Sequence, residues 1–445
     1  MTALIAESGR SHAALARQVV HIGWTEHGMR FAYDYRSIGR WVRGSVPEPP
    51  APAVLATVFS RILNRSVTTR DLGFDHGDMI RRTLAIPTSP ANSVETVTEL
   101  WRASVERRTF LQDIFVSALA VEAALDWRDV PAEGSVHRET GTRTVTTADV
   151  ERLYEVREDF GRLDHLHGGG YALPWLTQYL DTEVAPLLRG RYTNAVGADL
   201  FVVAATLTDM AGWMAMDAGH QGLAQRCYTQ ATALAKHAGD SAYGAYVLGN
   251  LATQALFVGQ ARTSVRLARA ARNTGGRAIT PTLTARIITT EARAHALIGD
   301  VHETHRALIA ADRAMDRSNP ATDPDWLGVF TPAHFHGSVM HALRDLGDFK
   351  TAETYATGAL NLPVTNIRTR ALHSVLHASV QAERGNLDGA VETAGPIQQI
   401  APGIKSQRLD QRLDELAERL TPHQGVPVVA AYLEGHKHTR RGTNS

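Results

Sequence analysis

Apolar residues recur with a helical period along most of this chain, and almost nowhere do apolar and polar positions alternate as they would in a strand. In the opening stretch, "TALIAES" and Gly9 precede Ser11, which is placed to N-cap "HAALARQVVHI", with Leu15, Ala16, Val19 and Ile22 on one face. Asp34 is placed to cap a second segment, "YRSIGRWVRG". There Ile38, Trp41 and Val42 fall on one side and Arg36, Arg40 and Arg43 largely on the other. Gly44 reads as a stop, "PEPPAP" as a rigid lead into "AVLATVFSRILN", and "SVTTRDLGF" as a further capped turn and short helix. The pattern predicts a bundle of about five helices ending near Phe74.

Beyond it, "NSVETVTELWRASVERRTFLQDIFVSALAVEAAL" predicts two long helices, and "VPAEGSVHRETGTRTVTT" a polar, turn-rich loop leading to a new helix start at Thr147. From there the chain is alanine-rich and repetitive. Gly219-His220, Gly259-Gln260, Gly299-Asp300, Gly347-Asp348 and Gly385-Asn386 recur at spacings of 40, 40, 48 and 38. Five positions after each glycine stands a small residue: Ala224, Ser264, Thr304, Ala352 and Ala390. Twelve positions after stand Ala231, Ala271, Ala311, Ala359 and Ile397. A glycine can make the turn of a helical hairpin, and small residues at fixed offsets let its two helices approach closely. The expectation is an all-α chain. It divides into a helical head (1–76), a helical linker and polar loop (77–146), a helical repeat region (147–425), and a C-terminal segment (426–445) with a basic, disordered tail.

Length alone favours two or more domains, since 445 residues exceed one ordinary core. The single cysteine, Cys227, excludes an intramolecular disulfide and fits a reducing cytoplasm, where it reads as a small buried hydrophobe. The N-terminal "MTALIAESGRS" lacks a basic start before a long apolar run, so neither secretion nor membrane spanning is expected. The formal net charge is zero, yet residues 1–70 carry nine arginines against four acids, which leaves the remainder acidic by five. A basic head on an acidic body suits a nucleic-acid-binding module joined to something else.

The glycine and small-residue offsets resemble those of the tetratricopeptide repeat, over roughly residues 198–400, with a longer spacing than the family's period of about 34 residues. In the head, "SHAALARQV" followed by "YRSIGRWVRG" resembles the second and third helices of XRE-type helix-turn-helix repressors. The resemblance implies that Leu15, Ala16, Ile38 and Trp41 are core. It implies that Arg17, Arg43 and the Ser11 hydroxyl hold phosphates of double-stranded DNA, while Tyr35, Arg36, Ser37 and Arg40 face base edges. Ala16 and Ile38 stand 22 apart, farther than in that family, so part of "HIGWTEHGMRFAYD" is inserted, either lengthening helix two or adding a wing. Gly39 would leave a gap on the reading face. Through "WRASVERRTFL", "HLHGGG" and "AGWMAMDAG" the whole chain resembles actinobacterial regulators that join such a head to a tetratricopeptide-like α-solenoid. That implies a cytoplasmic, homodimeric transcription regulator sensing a small molecule, peptide or protein in the repeat groove. The competing expectation is a tetratricopeptide-like adaptor whose head binds protein and never DNA.

Other chemistries lack their full set of residues. "HLHGGGY" (165–171) has the histidine-glycine run of some hydrolase oxyanion holes, but no G-x-S-x-G nucleophile elbow accompanies it, and its glycines read as a helix end. His373 with His377, His302 with His305, and the run "HFHGSVMH" have helical spacing but no completing cysteine or carboxylate pair for a metal. No catalytic residue, cofactor or metal is assigned. Trp213, Tyr228, Tyr243, Tyr246, Trp326, Phe330 and Phe335 are candidate linings of a ligand groove, each also a natural core residue.

Overall fold

The structure, a computed structural model, describes residues 1–27, 31–43, 47, 51–65, 67, 71–72, 81–105, 115–129 and 134–443. Their regular elements are all helical, and the only extended pairings are two isolated bridges, Arg138 with Tyr192 and Thr144 with Arg191. The chain forms two compact units, residues 1–81 and 82–445.

In the first unit, α1 (Thr2–Ser8), α2 (His12–His27), α3 (Tyr35–Val42) and α4 (Ala51–Leu63) surround one small core. The residues that the periodicity singled out form it: Leu15, Ala16, Val19 and Ile22 of α2 meet Ile38 and Trp41 of α3, with Val54, Leu55, Val58 and Phe59 of α4. Asp34 caps α3, its Oδ1 accepting from the Ser37 amide at 2.9 Å. Seven of the fourteen residues of "HIGWTEHGMRFAYD" belong to helix two, which runs on to His27. Phe31 and Tyr33 then stack at 5.0 Å, and Tyr33 meets the Trp41 ring edge-on at 4.8 Å. Gly44 and most of "SVTTRDLGF" lie outside the described residues.

The second unit begins with α5 (Pro90–Val105) and α6 (Ser117–Asp129), in the stretch expected to be a linker. Both pack instead on later helices of this unit. Next come α7 (Thr147–His167), α8 (Gly169–Tyr179), a π turn (Leu180–Val184) and α9 (Ala185–Leu188). Five hairpins follow, with first helices α10 (Asn194–Asp217), α12 (Ser241–Phe257), α14 (Pro281–Ile298), α16 (Pro332–Leu346) and α19 (Ile367–Glu383). Their second arms are α11 (Gln221–Ala238), α13 (Ala261–Gly275), α15 (Val301–Met315), the pair α17 (Phe349–Thr354) and α18 (Ala356–Leu360), and α20 (Leu387–Ile400). α21 (Gln407–Leu420) and α22 (Pro427–Thr443) close the unit. α10, 24 residues long, is the one described helix apolar enough to cross a membrane by length and composition, and most of its residues are buried in the protein core.

The hairpin turns explain the glycine pattern. Gly219, Gly259, Gly299, Gly347 and Gly385 all adopt φ between 76° and 91°, the left-handed region that ends a helix without a Cβ clash. The next residue starts the second arm. Asp300, Asp348 and Asn386 accept from the amides of Glu303, Thr351 and Gly389 at 3.0–3.1 Å. All five small residues at the first offset are fully buried, as are the four alanines at the second, while Ile397 is half-buried. Cys227 is buried as expected, and burial pushes its thiol up to about 12. The C-terminal segment corrects its expectation. It is helical to Thr443, because Val429 and Tyr432 drop into a cluster with Leu409, Leu413, Leu416 and Leu420, and His436 and Arg440 bond Asp414.

Candidate functional site

In the second unit the first helices of the hairpins turn one face each toward a shared cavity of about 540 Å³. The lining follows helical spacing: Thr206, Asp209, Met210 and Trp213 on α10; Arg286, Thr289, Thr290 and Arg293 on α14; His334, Gly337, Ser338 and His341 on α16. Tyr246 and Leu256 come from α12, and Arg368, Leu372 and His373 from α19. α7 packs on α19 and adds Arg157, Arg162, Asp164 and His165, and α21 adds Arg408 and Arg412. Gly337 leaves room for a wall residue, since a Cβ there would lie 2.5 Å from the His373 ring.

The motif "HLHGGGY" brings the two ends of this wall together. Lys405 donates to the His167 carbonyl at 2.7 Å, and Gly170 to the Lys405 carbonyl at 2.9 Å. A Cβ on Gly168 would come within 2.7 Å of the Lys405 oxygen, and one on Gly169 within 2.6 Å of the Met214 oxygen. Only glycines allow the chain at 405 to dock here, and the docking carries α21 to the cavity.

Seven arginines and three acids line the cavity. Arg368, only 3% exposed, bonds Asp164 and stands 3.1 Å from Asp217, which also accepts from Gly169 N at 3.0 Å and Ser406 Oγ at 2.8 Å. Arg293 and Arg344 share Asp345 at 2.8 and 2.6 Å. Arg286 bonds Asn250 and lies 4.4 Å over the Tyr246 ring, while Asn250 donates to Asp209 at 2.7 Å. Burial pushes the Asp209 carboxyl up to about 6. Arg408 rests 5.0 Å from the Trp213 ring and 3.8 Å from Asp217, and its Nε and Nη1 are buried without a hydrogen-bond partner.

Arg412 donates to His341 Nε2. An arginine cannot accept, so His341 Nε2 is the acceptor, and Nδ1 carries the proton that it shares with Asp345 at 3.2 Å. His341 is therefore neutral, and burial holds its pKa well below the usual value. Burial also lowers His334 to about 3, and His165 and His373 to about 4. The positive charge of the cavity at neutral pH thus belongs to its arginines.

Of the seven aromatic candidates, Trp213, Tyr246 and Phe330 line the cavity, and Tyr228, Tyr243, Trp326 and Phe335 are buried in the core. His373 donates to the Ala359 carbonyl at 2.7 Å while His377 pairs with Glu353, also at 2.7 Å. Among the described residues no three His, Cys, Asp or Glu side chains gather as a metal site. The sequence reading missed the arginines and Asp209, whose signal was a polar stripe recurring on otherwise apolar first helices.

In the first unit, Tyr35, Arg36, Arg40 and Arg43 lie on the exposed side of α3. Arg36 Nε donates to Tyr35 Oη at 3.2 Å, and its guanidinium sits 5.6 Å from that ring. Ser11 is exposed and caps α2 through the Ala14 amide at 3.3 Å, and Arg17 is exposed on the same helix. Ser37 departs from expectation. It is 3% exposed, and its hydroxyl closes the capping box with Asp34 and accepts from Arg40 at 3.3 Å, so it faces inward and steadies Arg40. Gly39 leaves no open gap, since His12 and Arg43 cover it.

Residues 1–75 match the family model of the SP15 N-terminal domain. The SP15 N-terminal domain match takes in α1 to α4, including the arginines of α3, and stops short of the cavity-bearing unit. No curated protein matches the chain.

Proposed function

We propose that the protein is a DNA-binding transcriptional regulator, with an XRE-type helix-turn-helix in the first unit and a tetratricopeptide-like solenoid in the second that senses an effector and dimerises. The observation that carries this reading is the set Tyr35, Arg36, Arg40 and Arg43 on the outer side of a capped two-turn helix. Behind that helix, Leu15 and Ala16 of α2 pack with Ile38 and Trp41. Arg17, Arg43 and Ser11 would hold phosphates, and Tyr35, Arg36 and Arg40 would read base edges, where arginine pairs bidentately with guanine. Ser37 acts by orienting Arg40. A homodimer would place two such helices on the half-sites of an operator, and an effector would act by favouring one arrangement of the pair.

The test is binding of the full chain to captured chromosomal fragments across a salt series. Affinity should fall steeply with salt, and Arg36→Ala combined with Arg40→Ala should weaken it by about tenfold or more at fixed salt. No affinity at low salt, or an unchanged double variant, overturns the reading and leaves a protein-binding adaptor in its place.

A further inference from the structure

We propose that the cavity of the second unit binds a small anionic molecule: a carboxylate or phosphate group carried on an apolar or aromatic body. The proposal rests on the regulator reading only in calling that molecule an effector.

The charges around the cavity do not close among themselves. Arg368 has two carboxylates, Asp164 and Asp217, and Arg293 shares Asp345 with Arg344. Arg408 and Arg412, one turn apart on α21, have no carboxylate of their own. Arg408 reaches only Asp217 at 3.8 Å, already held by Arg368, and Arg412 bonds the neutral His341. Burial and the neighbouring Arg293, Arg344 and Arg408 hold the Arg412 pKa well below its ordinary value, a sign of mutual repulsion. Cations so placed need a counter-charge, and an oxyanion meets both the charge and the buried Nε and Nη1 donors of Arg408.

The rest of the wall fits the remainder of such a molecule. Trp213, Tyr246 and Phe330 with Leu256 and Leu372 offer an apolar and aromatic side. A volume of about 540 Å³ suits a metabolite-sized ligand. His334 and His373, neutral at pH 7, supply polar contacts without adding charge.

The experiment uses the full chain in low-chloride buffer, with calorimetric titration and thermal shift. The probes are indole-3-acetate and phenyl phosphate, with indole-3-acetamide and tryptamine as matched neutral and cationic bodies and inorganic phosphate as the bare oxyanion. Both aryl anions should bind and raise Tm, with the amide and amine at least about tenfold weaker. Tighter binding of one aryl anion identifies the group as carboxylate or phosphate. Inorganic phosphate should bind more weakly than phenyl phosphate, since it leaves the aromatic side unused.

Arg408→Gln and Arg412→Gln should each weaken anion binding by about tenfold or more. Arg412→Gln should also raise the Tm of the ligand-free protein, because it removes a buried charge among like charges. Arg313→Gln, exposed on α15, should leave anion affinity within about twofold. If Arg412→Gln does not fold, Arg286→Gln on the opposite wall carries the same tenfold criterion. Equal binding of amide and carboxylate, no anion bound at millimolar concentration, or unchanged affinity in the α21 variants overturns the proposal. DNA affinity of the same preparations keeps the two readings apart. Anion binding without DNA binding removes the regulator reading alone, and the reverse removes this one alone.

Discussion

Arg368 ties together three helices, and its loss should be among the costliest single changes in the chain. Arg368→Met would leave Asp164 buried without its bonded counter-charge and Asp217 with only the Arg408 guanidinium at 3.8 Å, so denaturant unfolding should show a loss of about 3–5 kcal/mol. The cavity histidines make a separate demand. With His334 near 3 and His165 and His373 near 4, the folded chain refuses protons that the unfolded chain accepts below about 6.5. Their contribution is complete above that pH and is lost as pH falls toward 4, so urea titrations should give a lower unfolding free energy at pH 5 than at pH 7. Asp209 acts in the opposite sense, because its carboxyl, raised to about 6, keeps a proton that the unfolded chain has lost. Asp209→Asn should therefore gain about 2–3 kcal/mol at pH 8, gain almost nothing at pH 4, and steepen the decline on acidification.

At the scale of the element, the glycines that end helices divide into those that need only a backbone angle and those that also need space. Gly299 adopts φ 83° with open space where a Cβ would stand, so Gly299→Ala should cost about 1–2 kcal/mol. Gly168 has the same angle plus the Lys405 backbone within 2.7 Å, so Gly168→Ala should cost more and weaken the docking of α21, visible as faster amide exchange at Gly170 and Lys405. This difference also explains what could be read in advance. Hairpin turns, caps and the cores of α2 and α3 depend on neighbours a few residues away, so Asp34, Ser11, Leu15 and the five turn glycines declared themselves in the sequence. Arg286, Arg293 and Arg368 did not, because a 3.6-residue period separates polar faces from apolar ones without saying whether the polar face meets water or an enclosed cavity. Ser37 was misplaced for a related reason: position on a helix wheel gives a direction, while the capping box with Asp34 turned its hydroxyl inward. The C-terminal helix was hidden by its basic composition, which masked the two residues, Val429 and Tyr432, that anchor it.

At the scale of the whole molecule, each unit has its own hydrophobic core: Phe59, Leu55 and Val58 sit in that of the first, and Leu207, Tyr228 and Leu251 in that of the second. Scanning calorimetry should resolve two transitions. Phe59→Ala, which empties a fully buried site, should destabilise the smaller one by about 3–5 kcal/mol and leave the larger in place.

The docking of residue 405 onto the glycine turn at 167–170 has a consequence in time as well as space. The contacts that complete the cavity join positions about 200 residues apart, such as Arg368 with Asp164 and Ser406 with Asp217. Emerging from a ribosome, the chain can build its hairpins one after another from local contacts, but Arg408 and Arg412 arrive only after all five hairpins have been made. A message cut short before Gln407 would yield most of the helices and none of α21's charge. A copy that stops there would then be blind to the anion, and only a chain that has passed Arg412 could answer it.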